Sequence, residues 1–155
     1  MAAIALIVVL AVLIGGGIAT WTRLAARNTR HIAGGVADDE PHELLRGGVM
    51  AKHVITSGTL VRLEFFDWGI RLRGTAIARW AVPTWEARYD ELAIAELVSL
   101  PASRIAVWFR LRNDDPHTIG FLSDRSSEVL RLLERRGVPV NKAVTKIRSV
   151  DELYG

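Results

Sequence analysis

Residues 61–74 read VRLEFFDWGIRLRG, and the alternation within this stretch decides the fold. In VRLEF the apolar side chains alternate with Arg62 and Glu64, and in GIRLRG they alternate with Arg71 and Arg73. A period of two with one apolar side is typical of a half-buried strand. Between the two runs, DWG contains an aspartate and a glycine, which favour a turn. The stretch therefore predicts a β-hairpin with one side against a hydrophobic core.

Further strands are predicted after this hairpin, because short apolar runs recur between turn signals. They are TAIARWAV (75–82), the run Ala93–Leu100, RIAVWFRL (104–111) and HTIGFL (117–122). RIAVWFRL is rich in β-branched and aromatic residues, and the turn sequence NDDP follows it. Short strands at regular spacing predict an antiparallel sandwich or a partly open barrel.

One amphipathic helix is predicted after these strands, in SDRSSEVLRLLERRG (123–137). Ser123 or Asp124 suits its N-cap, and Gly137 suits the position after its last turn. Its valine and leucines form one apolar stripe that has to be buried. We expect the helix to close an open end of the barrel.

The chain divides into four predicted parts. They are a transmembrane anchor at 1–22, a basic juxtamembrane segment and linker at 23–58, a domain at 59–140 and a tail at 141–155. The linker is expected to contain a short helix that begins at Pro41 and is ended by Gly47 and Gly48.

The order of several antiparallel strands and one C-terminal helix resembles the pleckstrin-homology-like (PH-like) superfold, as found in small bacterial membrane proteins. The resemblance covers about Thr59 to Val140. It is carried by VRLEFFDWGIRLRG, by RYDELAIAELV, by RIAVWFRL with HTIGFL after it, and by SSEVLRLLERRGVPV. It implies a mainly β (α+β) fold, an antiparallel barrel or sandwich closed by one helix, with one or two membrane spans before it. It does not imply phosphoinositide binding, because the turn Asp67–Gly69 is acidic and aromatic instead of basic.

Residues 4–20, IALIVVLAVLIGGGIAT, predict a membrane-spanning helix. About 20 helical residues cross a hydrocarbon core of about 30 Å, and here every helical face is apolar. Trp21 suits the membrane interface, and Arg23, Arg27 and Arg30 follow it. Because positive charge marks the cytoplasmic side, we expect a single-pass protein of the plasma membrane. Its N-terminus is expected outside and its C-terminal domain in the cytoplasm.

A cleaved signal peptide is the alternative to an anchor. Cleavage near Ala25 or Ala26 would release the remaining chain as an exported domain. A signal peptide carries positive charge ahead of its apolar core, whereas here only Met1 and two alanines precede the core. The Gly15–Gly17 run has two interpretations that stay open, close approach by another helix and a locally flexible part of the span.

The net charge of +3 results from 20 Lys and Arg against 17 Asp and Glu. The three arginines after the span account for the whole excess, so the charge of the remaining chain is balanced. A balanced domain argues against a nucleic-acid interface, and the arginine cluster matches anionic phospholipid at the inner leaflet. The absence of cysteine excludes disulfides and thiolate metal sites.

No residue pattern indicates a metal, a cofactor or catalysis. His31, His42 and His53 are eleven residues apart, whereas metal ligands usually cluster at short spacings. NDDP and DDEP are ordinary turn and helix-start sequences without the interleaved oxygen ligands of a calcium loop. The chain contains no Gly-x-Ser-x-Gly motif and no cysteine nucleophile. We therefore expect a protein that is not an enzyme and binds no cofactor.

Four residues are candidates for contact with a partner or with lipid: Trp68, Arg71, Arg73 and Arg88. Trp68 lies in the predicted turn, where local packing and contact with a partner both stay open. We expect a non-enzymatic, membrane-anchored binding or scaffolding protein, an accessory subunit of a membrane-protein complex. An extended peptide of a partner could add to an exposed sheet edge. The alternative is a lipid-binding module or sensor at the inner leaflet, in which the arginines receive headgroups.

Overall fold

The computed structural model describes residues 40–51, 54–56, 58–79, 82, 84–101, 104–112 and 117–154. The predicted span at 1–22 and the basic segment after it lie outside these residues. Within the described ranges, no helix is long and apolar enough to cross a membrane.

The described residues form nine strands and one α-helix. In chain order they are β1 (Glu43–Ala51), β2 (Val54–Ile55), β3 (Val61–Phe65), β4 (Gly69–Gly74), β5 (Trp85–Arg88), β6 (Leu92–Leu100), β7 (Arg104–Leu111), β8 (Ile119–Leu122), α1 (Ser126–Arg135) and β9 (Val140–Lys146). Short 3-10 helices lie at Tyr89–Glu91 and Val150–Leu153.

The strands form one open sheet in the order β5-β4-β3-β1-β8-β7-β6-β9, and β2 pairs with β1. Neighbouring strands are antiparallel, except that β9 runs parallel to β6. The two ends of this order, β5 and β9, are not paired with each other.

β1 joins the two halves of the sheet. Its residues 43–47 pair with β3, and its residues 48–50 pair with β8. The change of partner falls at Gly47, where a β-carbon would lie 2.2 Å from the carbonyl oxygen of Leu122. Because only a residue without a side chain fits so close to a neighbouring backbone, Gly47 allows both halves to meet in one strand.

Both halves of the sheet contribute to one hydrophobic core. Its fully buried residues include Val61, Leu63, Leu72, Val107 and Phe109. The rings of Trp85 and Phe109 stack with their centres 5.8 Å apart. Trp85 Nε1 also donates a hydrogen bond of 2.5 Å to the carbonyl oxygen of His117. The sheet is therefore folded over on itself around residues from β4, β5 and β7.

The helix α1 covers the core with one side. Its buried residues are Ser126, Val129, Leu130, Leu132 and Leu133. Gly137 follows the helix with φ of +78°, and its N–H donates to the carbonyl of Glu134. The predicted amphipathic helix and its C-terminal glycine are confirmed.

The chain continues past α1 into β9 and a 3-10 helix. Residues of this last segment pack against a second apolar cluster, which lies on the other side of the sheet and includes Met50, Val98 and Trp108. The rings of Trp108 and Tyr154 meet edge to face with their centres 5.2 Å apart. The Tyr154 hydroxyl donates to the carbonyl of Thr118 at 3.0 Å. Most of the predicted tail is therefore folded onto the sheet.

The predicted fold class is wrong in the way the elements assemble. We expected a transmembrane helix followed by an antiparallel barrel or sandwich that one C-terminal helix closes. The described residues instead form an open sheet without a membrane-crossing helix, and its last strand, β9, follows α1 and runs parallel to β6. The sequence of β9, VNKAVTK, does not clearly predict a strand, because most of its side chains are exposed and its apolar residues are few.

Two local predictions are also wrong, although the hairpin at 61–74 and the strands β6, β7 and β8 are confirmed. The short helix expected from Pro41 is replaced by β1, because pairing with β3 and β8 buries the apolar residues of this segment. The strand expected at TAIARWAV is absent from its described part, since residues 76–79 form turns. The strand that pairs with β4 is β5, which begins at Trp85.

Candidate functional site

The outer side of β3, β4 and β5 carries charged side chains. Successive side chains of a strand point to opposite sides of the sheet, so the residues between the core residues point away from the core. The strand register places Glu64, Arg71 and Glu86 in one row across the three strands, and Arg62 beside Arg73 in the next row. We define the aromatic–arginine face as these five residues together with Phe66, Trp68 and Arg88.

Phe66 and Trp68 form the aromatic part of this face. Their rings stack with centres 5.1 Å apart and planes 11° from parallel. The guanidinium carbon of Arg71 lies 4.8 Å from the Phe66 ring centre and 5.7 Å from that of Trp68. An arginine above an aromatic ring is attracted by about 0.5–2 kcal/mol. Trp68 is half-buried, so it packs locally and still keeps exposed area for contact.

Arg71 is buried and is neutralised by Glu86. Its Nε lies 2.6 Å from Glu86 Oε1, and the two side chains are 8% and 7% exposed. A buried charge without a partner costs several kcal/mol. Each member of the pair therefore offsets the cost of burying the other. The charge of Arg71 is therefore balanced within the protein.

Glu64 is the second buried carboxylate of the face, with 1% of its surface exposed. Its Oε1 accepts hydrogen bonds from Arg73, whose Nε and terminal nitrogen both lie 2.9 Å away. Arg73 is 46% exposed, so the pair reaches from the buried layer to solvent. Both hydrogen bonds end on one carboxylate oxygen.

Three buried polar atoms of this face have no hydrogen-bond partner among the described residues. They are Arg62 Nε, Glu64 Oε2 and Trp68 Nε1, two donors and one acceptor. The great majority of buried polar atoms in native proteins are paired, and an unpaired one costs about 1–3 kcal/mol. The face is therefore incomplete in its hydrogen bonding.

The four predicted contact residues share this face. Trp68, Arg71 and Arg73 lie on or beside β4, and Arg88 ends β5 opposite Gly69. Arg88 Nε lies 3.2 Å from Asp90, and both side chains are exposed. The predicted membrane-interface residues lie outside the described residues: Trp21, Arg23, Arg27 and Arg30.

Sequence reasoning missed Glu64, Glu86 and Phe66 as parts of the face. The alternation of VRLEF, with the hairpin register, contains the signal for Glu64, because it places Glu64 opposite Arg71. The pairing of Glu86 with Arg71 depends on β5, which the sequence pattern does not reveal.

A second polar cluster joins the hairpin turn to the end of α1. Asp67 lies 3.1 Å from His42 Nε2 and 3.1 Å from a terminal nitrogen of Arg136. The hydrogen bonds from His42 and then Arg136 hold the pKa of Asp67 below its usual value of 3.8. Nearby, the Tyr89 hydroxyl donates to the Phe66 carbonyl at 2.8 Å. Burial raises the pKa of Tyr89 to about 12, which keeps this donor protonated at neutral pH.

The described residues contain no group of three or more side chains placed to ligate a metal. Of the three evenly spaced histidines, His42 lies in the described ranges, and it contacts Asp67. The expectation that the protein needs no metal and no cofactor stays a prediction.

No family model matches this chain, and no curated protein matches it. The resemblance to PH-like domains therefore stays a prediction from the sequence. A fold alone does not define a function. The function is therefore inferred from the residues of the aromatic–arginine face.

Removal of Glu86 alone is expected to destabilise the fold. Glu86→Leu leaves the Arg71 guanidinium buried without a carboxylate, so the free energy of unfolding should fall by about 3–5 kcal/mol. Arg71→Met/Glu86→Leu removes both charges and should restore the free energy of unfolding to about the wild-type value. Urea unfolding of the full chain in mild detergent, followed by tryptophan fluorescence, measures both effects.

The matched control is Glu96→Leu. Glu96 also pairs across strands with an arginine, at 2.8 Å, but its partner Arg110 is 55% exposed. Such exposed pairs contribute at most about 1 kcal/mol. An equal cost for Glu86→Leu and Glu96→Leu would contradict the role of the buried pair.

Asp67→Asn is expected to destabilise the protein in a pH-dependent way. The pKa of Asp67 is lowered in the folded state, so its ionised carboxylate stabilises the fold above the unfolded value of 3.8. This contribution is lost as the pH falls through the lowered folded pKa. The difference in unfolding free energy between wild type and Asp67→Asn should therefore be present at pH 6 and vanish towards pH 2. Carboxyl-carbon NMR of Asp67 gives its pKa directly, and His42→Ala should move that pKa upward. A difference between wild type and variant that stays constant from pH 6 to pH 2 would disprove the assignment.

Proposed function

We propose that this protein is a non-enzymatic, membrane-anchored binding protein, an accessory subunit of a membrane-protein complex. Its partner protein contacts the aromatic–arginine face. The observation that carries the proposal is the stacked Phe66–Trp68 pair beside Arg71, in which Trp68 is only half-buried. A large aromatic side chain that keeps exposed area gains binding free energy when a partner covers it.

The charges of the face favour a protein partner over an anionic lipid. Arg71, Arg73 and Arg88, the arginines considered for headgroups, each lie within 3.2 Å of a carboxylate. Their positive charges are largely balanced, so little attraction to anionic headgroups remains. Stacked aromatic rings beside an arginine are typical of the centres of protein interfaces.

The edges of the sheet are less suitable for a partner than the face. β5 has four residues, which is a short template for an added strand. β9 contains a register shift, in which Asn141 pairs with Glu96 but Val144 pairs with the next residue, Leu97. Short edge strands, irregular pairing and lysines on edges all hinder strand addition. The expected addition of a peptide at a sheet edge therefore receives little support.

The anchor part of the proposal depends on residues 4–30 of the sequence. An apolar run followed by three arginines predicts a span with its C-terminal side in the cytoplasm. A shared membrane raises the effective concentration of two anchored proteins. A modest contact face is therefore enough for an accessory subunit.

Arg73→Glu is expected to reduce the recovery of the partner at least fivefold. The substitution removes the partner of the buried Glu64 and places a second carboxylate beside it. Because this also destabilises the fold, recovery is compared under conditions in which tryptophan fluorescence shows that the variant is folded. The measurement is quantitative mass spectrometry of proteins that copurify with the full chain in mild detergent. Wild type and variant carry different isotope labels.

Arg110→Glu is the matched control, because Arg110 is a similarly exposed strand arginine paired with a glutamate on the other half of the sheet. It should leave partner recovery at the wild-type level. Equal recovery with Arg73→Glu and wild type, or recovery of no protein that depends on the bait, would refute the proposed contact.

The orientation is expected to place the C-terminus in the cytoplasm. Two fusions at the C-terminus test it: a fluorescent protein that folds in the cytosol, and a phosphatase that needs disulfide bonds and an oxidising compartment. Fluorescence without phosphatase activity is the expected result. Replacement of Arg23, Arg27 and Arg30 by Asn should yield a mixed orientation, because these charges set the direction. Phosphatase activity alone, or a mature mass short by about 25 residues, would contradict an anchored cytoplasmic domain.

A further inference from the structure

The hairpin β3–β4 has exposed apolar side chains at the end opposite to its connecting turn. The N–H of Thr75 donates to the carbonyl of Leu60 at 2.8 Å, which extends the pairing of the two strands. Residues 75–78 then form a turn, in which the N–H of Ala78 donates to the carbonyl of Thr75 at 2.9 Å. Leu60 is 42% exposed, and Ile77, within the turn, is 81% exposed. We define these two side chains as the apolar tip.

Three arginines adjoin the apolar tip. Arg46 pairs in register with Arg62, which is two residues from Leu60, so all three side chains lie on the outer side of the sheet. Arg79 lies at the end of β4, because a β-carbon at Gly74 would lie 2.8 Å from the Arg79 α-carbon. Arg46 and Arg79 are exposed, and Arg62 is half-buried. None of the three arginines forms an ion pair with another described residue.

This end of the hairpin is positively charged. Asp124 lines a cleft together with Arg46, so three arginines against one aspartate leave two net positive charges. In contrast, Arg71, Arg73 and Arg88 each lie within 3.2 Å of a carboxylate. Single exposed apolar residues are common on protein surfaces, and it is their position beside unpaired arginines that indicates a ligand. The combination is complementary to a surface with an apolar interior and a negative exterior.

We propose that the apolar tip docks on the anionic phospholipid surface of the membrane in which the chain is anchored. Ile77 enters the interface, and Arg46 and Arg79 contact the phosphate groups of neighbouring lipids. This inference rests on the proposed anchor. It goes beyond the proposed partner contact, because docking uses neither Trp68 nor Arg73.

The shape of this end favours a lipid surface over a protein pocket. A protein receives a protruding side chain in a concave pocket of matching shape, whereas a fluid lipid interface requires no such match. The membrane is also always within reach of the domain. Residues 23–39 place 17 residues between the predicted span and the first described residue, and such a segment extends to at most about 60 Å. Either end of the hairpin can therefore approach the lipid.

Docking at the apolar tip keeps the proposed partner contact close to the membrane. Phe66 follows Leu60 by six residues along β3, and a strand rises about 3.3 Å per residue. The Phe66–Trp68 pair then lies no more than roughly 20 Å from the lipid surface. Cytoplasmic parts of a neighbouring membrane protein can reach it there.

The absence of cysteine from the chain permits a direct test of docking. Ile77→Cys introduces one thiol, which is labelled with a nitrobenzoxadiazole fluorophore that brightens when it leaves water. The full chain is reconstituted into vesicles of phosphatidylcholine alone, or with about one quarter phosphatidylglycerol. We expect emission to be at least threefold brighter in the anionic vesicles. High salt should return it to the level in neutral vesicles, because salt screens exposed charges.

Val144→Cys, labelled in the same way, is the matched control, because Val144 is 47% exposed and lies on β9 in the other half of the sheet. Its emission should be equal in the two kinds of vesicle. Arg46→Gln/Arg79→Gln, added to labelled Ile77→Cys, should remove most of the increase, and both arginines are exposed, so the fold should persist. Equal responses at the two labels, no response at position 77, or a response that the double variant leaves unchanged would overturn the proposal.

Flotation distinguishes a failure of docking from a failure of the proposed anchor. At high salt an anchored chain floats with phosphatidylcholine vesicles, whereas docking through arginines is screened. A chain that floats but shows no label response contradicts the docking alone. A chain that does not float contradicts the anchor, and its label response to added anionic vesicles still decides the docking.

Discussion

The two halves of the sheet meet in one strand, and the rest of the structure depends on the close contact that this requires. β1 pairs with β3 up to Gly47 and with β8 from Gly48 onward. A β-carbon at position 47 would lie 2.2 Å from the Leu122 carbonyl oxygen, so a side chain would force β1 and β8 apart. Since α1 follows β8, this contact also sets where the helix begins. The shared core and the outer face of β3–β5 both follow from this close contact.

The arginines of the aromatic–arginine face differ in burial. On the aromatic–arginine face, Arg71 is buried against Glu86 and two aromatic rings. Desolvation largely offsets the attraction in such a pair, so its contribution to stability is small and its effect on side-chain geometry is larger. Arg73 differs, because it is 46% exposed and pairs with the buried Glu64. The face therefore combines a fixed buried ion pair with a half-exposed arginine at its rim.

Local patterns predict the elements whose neighbours are close in sequence. The hairpin at 61–74 follows from alternation and a turn of two or three residues, and α1 follows from its apolar stripe and Gly137. β1 could not be predicted in this way, because Gly47 and Gly48 resemble a helix end and Gly48 pairs with Leu122, 74 positions away. The same limit applies to the site. Trp68 and Arg71 are visible as candidates, whereas the Glu86 partner and the three unpaired atoms depend on a register that appears only in three dimensions.

The C-terminal segment explains why the two halves of the sheet differ in their outer surfaces. On the half that contains β6, β7 and β8, residues Ile147–Tyr154 cover the outer apolar cluster around Trp108. That surface is completed by the chain itself, through apolar contacts and the hydrogen bond from Tyr154 to Thr118. The half that contains β3, β4 and β5 carries the aromatic–arginine face, in which buried donors and an acceptor lack partners among the described residues. Because the chain itself covers the outer apolar cluster of one half but leaves Trp68 and Arg73 of the other half partly exposed, a protein partner is expected on the second.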